Sequence, residues 1–410
     1  MDFSMALFSS DTANDPYPLY AQMRREAPVH RLERYGWWAV SRHEDVTTVM
    51  KRHDLFSSDT GLDRMRPPFL DDRAWEALEI LRGRSLINSD PPIHTRLRRL
   101  ISAAFTPRAM AELEGRLQQI TGALIDRLVT RDTFDVVADL AIPMPVTVIA
   151  EMLGIDSSRS ADFKRWSDDL LELSRLTREQ RMTPEQTRYL VKSRFELLDY
   201  LQATIADRRE RPQGDLLSAL TRAEGEDHAL TAVEVLGMAV LLLIAGNETT
   251  TNLIATGTHL LLEHPEAFAA LRADPGLIPN FIEEVLRYEG PVTMLFRRTL
   301  HEVTLLGVTI PKDQLVLAMV AGANRDPEQF PDPDRFDIRR DTRGHLAFGH
   351  GIHFCVGAPL SRLEGRIAFT QFLGRTPPFS RLDTQKGAQP AWCGNTSFRG
   401  LRALPVRFDR

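Results

Sequence analysis

Apolar residues along this chain fall mostly at helical spacing. Leu113, Leu117, Ile120, Leu124 and Leu128 recur every three or four positions, and amphipathic segments of this kind dominate from Ala109 to Glu226. Strand-like patterns are confined to short runs: Val29–Arg31 and Trp37–Val40 around Gly36, then Gly290–Arg297, Val303–Ile310 turning at Gly307, and Leu315–Ala318. One segment breaks the amphipathic pattern. From Val235 to Gly246 almost every residue is apolar, then Asn247-Glu248-Thr249-Thr250-Thr251-Asn252 intervenes before Leu253 and Ile254 resume. The apolar run is too short to span a bilayer and reads as a core helix. A hydroxyl without a partner in a core costs about 1–3 kcal/mol and a charge costs more. Glu248 and Thr249 are therefore needed for something, either chemistry or a helix end capped by threonines. The pattern as a whole predicts a mainly α fold with a small β region.

Composition narrows the class. The chain has 410 residues, and no linker, repeat or low-complexity tract divides it, so one large domain over residues 1–410 is expected. With 43% hydrophobic and 26% charged residues and a net charge of −5, it has material for a sizeable core and no basic bias toward nucleic acid. The first residues lack a basic segment followed by a long apolar run, so neither a signal peptide nor a membrane anchor is expected. Two cysteines far apart, Cys355 and Cys393, fit a cytoplasmic protein without a disulfide framework.

The candidate chemistry gathers in Phe348-Gly349-His350-Gly351-Ile352-His353-Phe354-Cys355-Val356-Gly357. Gly349 and Gly351 allow positive φ and close backbone approach, Gly357 lets the chain turn without a Cβ in the way, and a helix starts at Ala358-Pro359, so Cys355 is presented just before a helix N-terminus where negative charge is favoured. From the residues alone, four readings stand: an inert packed cysteine, a zinc ligand with His350 and His353, a nucleophile with an unidentified base, or an axial thiolate to haem iron.

This loop resembles the haem-binding loop of the cytochrome P450 family, in its soluble bacterial form. The resemblance implies the family fold, haem b and insertion of one oxygen atom from dioxygen into a small apolar substrate, by hydroxylation or epoxidation, at lipid, terpenoid, steroid or macrolide scale. It makes Cys355 the iron ligand, with Phe348, Gly349 and Gly357 shaping its loop. Ala245-Gly246-Asn247-Glu248-Thr249 resembles the oxygen-activation motif, with Ala245 beside the cofactor, Gly246 leaving room beside the iron, Thr249 as the hydroxyl near dioxygen and Glu248 as the proton relay. His94 and Arg98, four apart on one helix face, are the implied donors to a haem propionate, with Arg297 and His353 as further donors and Arg298 as an ambiguity for Arg297. Glu284, Arg287 and Arg335 correspond to a buried structural Glu-Arg-Arg network. Leu86, Ile87, Leu241, Ile244, Ala245, Val292, Leu295, Phe296 and Phe398 are the implied pocket lining. The stretch from Gly61 to Ile87 corresponds to a mobile segment over the pocket, and Phe163–Leu176 with the helix through Tyr189, Phe195 and Tyr200 to a lid.

No dinucleotide fingerprint or flavin module appears, so electrons are expected from NAD(P)H through a separate ferredoxin and reductase. Arg96, Arg99, Arg362 and Arg366 would form a basic face for that acidic donor, and a monomer is expected. A haem-thiolate protein that senses, or that uses peroxide, remains the alternative.

Overall fold

The computed structural model describes residues 3–61, 85–175, 183–222, 230–382, 390, 392–393 and 397–409. The expected pocket segment therefore lies largely outside the described residues, as does Thr396. The chain clusters into two compact units, one of Asp59–Glu112 and Pro145–Glu248, the other of Met1–Ser58, Leu113–Met144 and Thr249–Arg410.

The first of these units is helical. Helix α1 (Ile93–Ser102) buries His94, Leu97 and Ile101, the spacing its sequence predicts. Helices α2 (Ser160–Arg175) and α3 (Pro184–Glu210) lie together, with Arg165 Nη2 donating to Glu196 Oε2 at 2.6 Å and the Trp166 and Tyr200 rings 5.4 Å apart. Helix α3 starts at a capping box: the Thr183 hydroxyl accepts from Gln186 N–H while the Gln186 side chain accepts from Thr183 N–H, and Pro184 takes the first helical position.

Helix α4 (Ala232–Glu263) is continuous through Asn247–Asn252. The threonines are thus interior residues, and the capping alternative falls. Length and composition alone would let α4 cross a bilayer, a test that core helices also pass. Two of its threonines find partners in the fold: Thr251 Oγ1 donates to Ala141 O at 3.0 Å, and Thr250 Oγ1 donates to Glu364 Oε2 at 3.0 Å.

The second unit holds the strands: β1 (Val29–Leu32), β2 (Trp37–Val40), β3 (Phe56–Ser57), β4 (Thr133–Asp135), β5 (Leu295–Thr299), β6 (Val303–Leu305), β7 (Val308–Ile310), β8 (Leu315–Ala318), β9 (Phe379–Arg381) and β10 (Pro405–Phe408). They make sheets ordered β1-β2-β8-β5-β3, β4-β10-β9 and β6-β7. Side-chain alternation assigns two cores to the faces of the larger sheet: Val316 and Ala318 join Val40 and Phe56, while Leu317 joins Leu32, Met23 and Ala39. Strand β5 begins at Leu295, later than the sequence pattern suggests. Pro291 cannot donate to a ladder, and Pro291–Thr293 instead pairs with the C-terminal turn, Thr293 N to Ser397 O at 3.0 Å and Arg399 N to Pro291 O at 2.9 Å.

Two further helices complete the frame, α5 (Ile278–Glu289) and α6 (Ala358–Arg375). They approach closely because Gly365 of α6 has no side chain; a Cβ there would lie 3.2 Å from Ile282 Cδ1. Gly257 does the same for α4, where a Cβ would meet Phe369 at 2.6 Å.

Candidate active site

The Cys355 loop is built by backbone geometry. Gly349 and Gly351 adopt φ of +74° and +71°, a region side chains disfavour, and a Cβ on Gly351 would sit 3.0 Å from Lys51 Cα and Met50 O. Cys355 N–H closes the loop by donating to Phe348 O at 2.8 Å, and Gly357 leads into α6. Gly357 has a φ of −82°, so its requirement is space rather than conformation: a Cβ would stand 3.8 Å from Cys355 Sγ. The thiol itself is partly accessible.

Charges brace this loop from behind. Arg362 of α6 lies 4.5 Å over the Phe348 ring and donates twice to Glu283, at 2.6 and 2.8 Å, while His345 Nε2 lies 2.9 Å from the same carboxylate. Burial works to raise the Glu283 pKa, but the hydrogen bonds from Arg362 and His345 overrule it and hold the carboxyl at about 2. The Arg362 guanidinium is in turn held above its ordinary pKa, first by the Glu283 hydrogen bond and in smaller part by a charge on Cys355. The basic face expected from sequence is correspondingly reduced: Arg362 pairs with Glu283, Arg366 with Glu114 at 2.9 Å, and Arg96 with Glu234.

The Glu-Arg network is present with one member changed. Glu284 accepts from Arg287 Nε and Nη2 at 2.7 and 2.8 Å, both side chains fully buried. The third cation is Arg340, whose Nε reaches Glu284 Oε1 at 3.3 Å. Arg335 is exposed and contributes its carbonyl, which accepts from Arg340 Nη2 at 3.0 Å. The turn through Pro331–Arg335 points that side chain outward, and Arg340, after the next turn, folds back. Arg287 also donates to Asn324 O at 3.0 Å, and the Asn324 side chain accepts from Leu346 N–H at 2.6 Å, which ties the network to the start of the Cys355 loop.

On α4, Leu241, Ala245 and Thr249 share one face at intervals of four, and this face is the accessible one: Ala245 is exposed and Leu241, Ile244 and Thr249 are half-buried, whereas Leu242, Leu243, Asn247, Glu248 and Thr250 are buried. Room on that face comes from Ala245. A Cβ on Gly246 would point at Ile149 Cδ1, 3.6 Å away in ordinary contact, which corrects the expectation that Gly246 clears the space.

Sequence reasoning missed Glu364, a lone acid among the buried residues Leu360, Leu363, Ile367 and Ala368 of α6. Burial raises its pKa to about 8, against the opposing effect of the Thr250 hydrogen bond. Because the folded value exceeds the ordinary 4.5, the folded state holds this proton more tightly than the unfolded chain does. That contribution to stability is complete below pH 4.5 and is lost as pH rises through about 8. Glu364→Gln is expected to flatten this limb, so that its denaturant midpoint exceeds that of the wild type above pH 8 and the gap narrows in acid; equal slopes would refute the assignment.

The expected carboxylate donors divide as the strand and helix periods require. Arg297 is buried on β5, and Arg298, one residue on, faces outward and pairs with Asp313 at 2.7 Å, so of the two only Arg297 points inward. His353 Nε2 lies 2.8 Å from Ser58 Oγ, a neighbour no sequence signal marks. His94 and Arg98 share a face of α1, His94 buried and Arg98 half-buried. Of the expected lining residues, Leu86 is buried and Ile87 exposed, and Val292 bridges Phe398. Leu295 and Phe296 lie on opposite faces of β5, so they cannot line one wall; Phe296 packs edge-on against Trp37 at 5.7 Å, and only Leu295 shares the face of Arg297.

Among the described residues no three His, Cys, Asp or Glu side chains cluster as a metal site. A single presented thiol suits an iron whose other ligands come from a flat macrocycle, and the buried Arg297 on the same unit suits a carboxylate of such a group. The donor set fits haem.

The family model for cytochrome P450 matches residues 33–275 and 276–377. The chain is 41% identical to the cytochrome P450 monooxygenase PikC of Streptomyces venezuelae, over 99% of this chain and 94% of that protein. It is 38% identical to the 6-deoxyerythronolide B hydroxylase of Saccharopolyspora erythraea, over 96% of each. The crystal structure of CYP109E1 from Bacillus megaterium in complex with testosterone superposes with a TM-score of 0.85 at 35% identity, covering 98% of this chain and 100% of that one.

Proposed function

The chain belongs to the cytochrome P450 family and is a haem-thiolate monooxygenase, and from that premise we propose what its own residues do. Haem b supplies the dioxygen chemistry: with two electrons and two protons, one oxygen atom enters a C–H bond or alkene of the substrate and the other leaves as water. Cys355 Sγ would ligate the haem iron. The α6 N-terminus and Arg362 favour its negative charge, and Gly357 keeps a side chain off the sulfur. Arg297, His353, His94 and Arg98 are the residues that would hold the propionates, and Ala245 keeps the α4 face shallow. Thr249 Oγ1 would hold and pass on protons that reach it through water from the Glu248 carboxyl, a general-acid role. The Glu284-Arg287-Arg340 network supports the loop.

The substrate in this reading is an apolar molecule of lipid, terpenoid, steroid or macrolide scale, a range that spans the hydroxylase and the steroid complex named above. Helices α2 and α3 serve as its lid. Electrons come from NAD(P)H through a ferredoxin and reductase, and the protein works as a cytoplasmic monomer of one catalytic domain. The observation that supports this most is the single accessible thiol in a glycine-built loop, on the same unit as Thr249.

Thr249→Ala tests the proton path. With a surrogate ferredoxin and reductase, product formation is expected to fall by about 10²-fold, the low end for a positioned proton donor. Consumption of NAD(P)H and dioxygen continues, released as hydrogen peroxide. Unchanged product per NAD(P)H would refute the role.

A further inference from the structure

Helix α6 opens with a charge that its dipole disfavours. The first turn carries no acid, and Arg362 stands in the second, at the end of the helix where a cation is repelled. Two negative groups compensate it: Glu283, whose hydrogen bond does most to hold Arg362 above its ordinary pKa, and the Cys355 sulfur, whose charge adds to the effect. Adjacent acids of α5 thus serve different arginines. Glu284 turns to Arg287, while Glu283 turns to α6, which Gly365 allows to pack close. Glu283 accepts from Arg362 Nε and Nη2 at 2.6 and 2.8 Å, and this fork fixes the guanidinium over the Phe348 ring at 4.5 Å. His345 grips the same carboxylate. Its Nδ1 accepts from Ala347 N–H at 3.3 Å, so the ring proton sits on Nε2 and is donated to Glu283, 2.9 Å away. All these residues and Cys355 belong to one compact unit.

Burial favours the neutral acid, but Arg362 and His345 hold the Glu283 carboxyl at about 2, so it is ionised at neutral pH. Its side chain is 22% exposed and that of Arg362 41%, so water screens the pair only in part. We propose that Glu283 is a positioning residue for the iron's ligand: by holding Arg362 and opposing its charge, it sets how much positive potential the Cys355 sulfur feels, and with it the potential at which the iron accepts an electron. This rests on the reading of Cys355 as the iron ligand. Reduction adds one electron, so a nearby cation favours the reduced form and a nearby anion the oxidised form. The two side chains therefore act with opposite sign.

Spectroelectrochemical titration of the haem-loaded protein reads this directly. Glu283→Gln keeps the shape and leaves Arg362 unopposed, so the midpoint potential is expected to rise, by the equivalent of about fivefold in the ferrous-to-ferric ratio, the size of one part-screened charge. Arg362→Met should lower it by a similar factor, the double variant should fall between the two, and Arg362→Lys should stay closer to wild type than Arg362→Met. Glu114→Gln is the control. It removes the acid from Arg366, one turn farther along α6, and should leave the potential in place. A pair with a solely structural role would lower the melting temperature of both single variants and leave the potential unmoved, or move it the same way in both; either result overturns the proposal, as does an equal rise in the control. If Arg362→Met takes up no haem, Glu283→Gln against Glu114→Gln decides alone: a rise confined to the first supports the proposal, and no rise overturns it. The reduced carbonyl spectrum separates the two readings. A wild type without the thiolate-type band brings down the ligand assignment and this proposal with it, whereas a wild type with the band and an unmoved potential in both variants overturns this proposal alone.

Discussion

Cys355→Ser is expected to abolish both the thiolate-type Soret band of the reduced carbonyl complex and monooxygenase activity. The substitution changes one atom in a loop whose shape comes from elsewhere: from Gly349 and Gly351 at positive φ, from the Cys355 N–H bond to Phe348 O, and from Arg362 over the Phe348 ring. The loop should therefore form, and haem should still be taken up. A serine hydroxyl is not ionised near neutral pH and offers a hard oxygen in place of a polarisable sulfur, so the electron donation that favours O–O cleavage is lost. Cys393→Ser is the control. That thiol is buried beside the C-terminal turn, with its N–H bonded to Gly400 O at 2.8 Å, and its replacement should leave the band in place. A thiolate-type band retained by Cys355→Ser would remove the central assignment.

Glu284→Gln is expected to cost about 3–5 kcal/mol, a large share of the stability of an ordinary domain, because it leaves the Arg287 charge buried without its partner. Both side chains have zero exposure, and Glu284 Oε1 also accepts from Asp337 N–H at 2.9 Å, so the carboxylate cannot be replaced by water. Urea denaturation of wild type and variant gives the difference. The damage should reach the active site through Asn324 and Leu346, so haem occupancy should fall along with the midpoint. Arg340→Met and Arg335→Met separate the observed network from the one sequence suggests: the first should be clearly destabilising, the second close to neutral, since the Arg335 side chain is exposed and only its carbonyl takes part. Equal losses at both positions would contradict this arrangement.

These variants also show where reading the chain succeeded. The Cys355 loop, the α4 motif and the Glu284–Arg287 pair are local: glycine spacing, an acid and alcohol in an apolar run, and an i, i+3 pair are visible within ten residues. The strands Trp37–Val40 and Leu315–Ala318 follow from β-branched and aromatic runs bounded by turns. Partnership across long separations was not visible. Arg340 meets Glu284 from 56 residues away, Glu364 meets Thr250 from 114, and Ser58 meets His353 from 295. Phe296 failed for a different reason, a parity error: neighbouring residues on a strand face opposite ways, and the register that turns Phe296 toward Trp37 is set by pairing with β8.

By itself the sequence determined the family and the mainly helical class, and it singled out Cys355 and the Glu248-Thr249 pair, because each rests on short-range backbone chemistry or on residue types that few other roles require. Only the tertiary structure decided which arginine completes the buried network, that Ala245 rather than Gly246 opens the α4 face, and that Glu364 is buried against Thr250. Each of these depends on what the remainder of the chain brings within a few ångströms, and burial and pairing are properties of that arrangement.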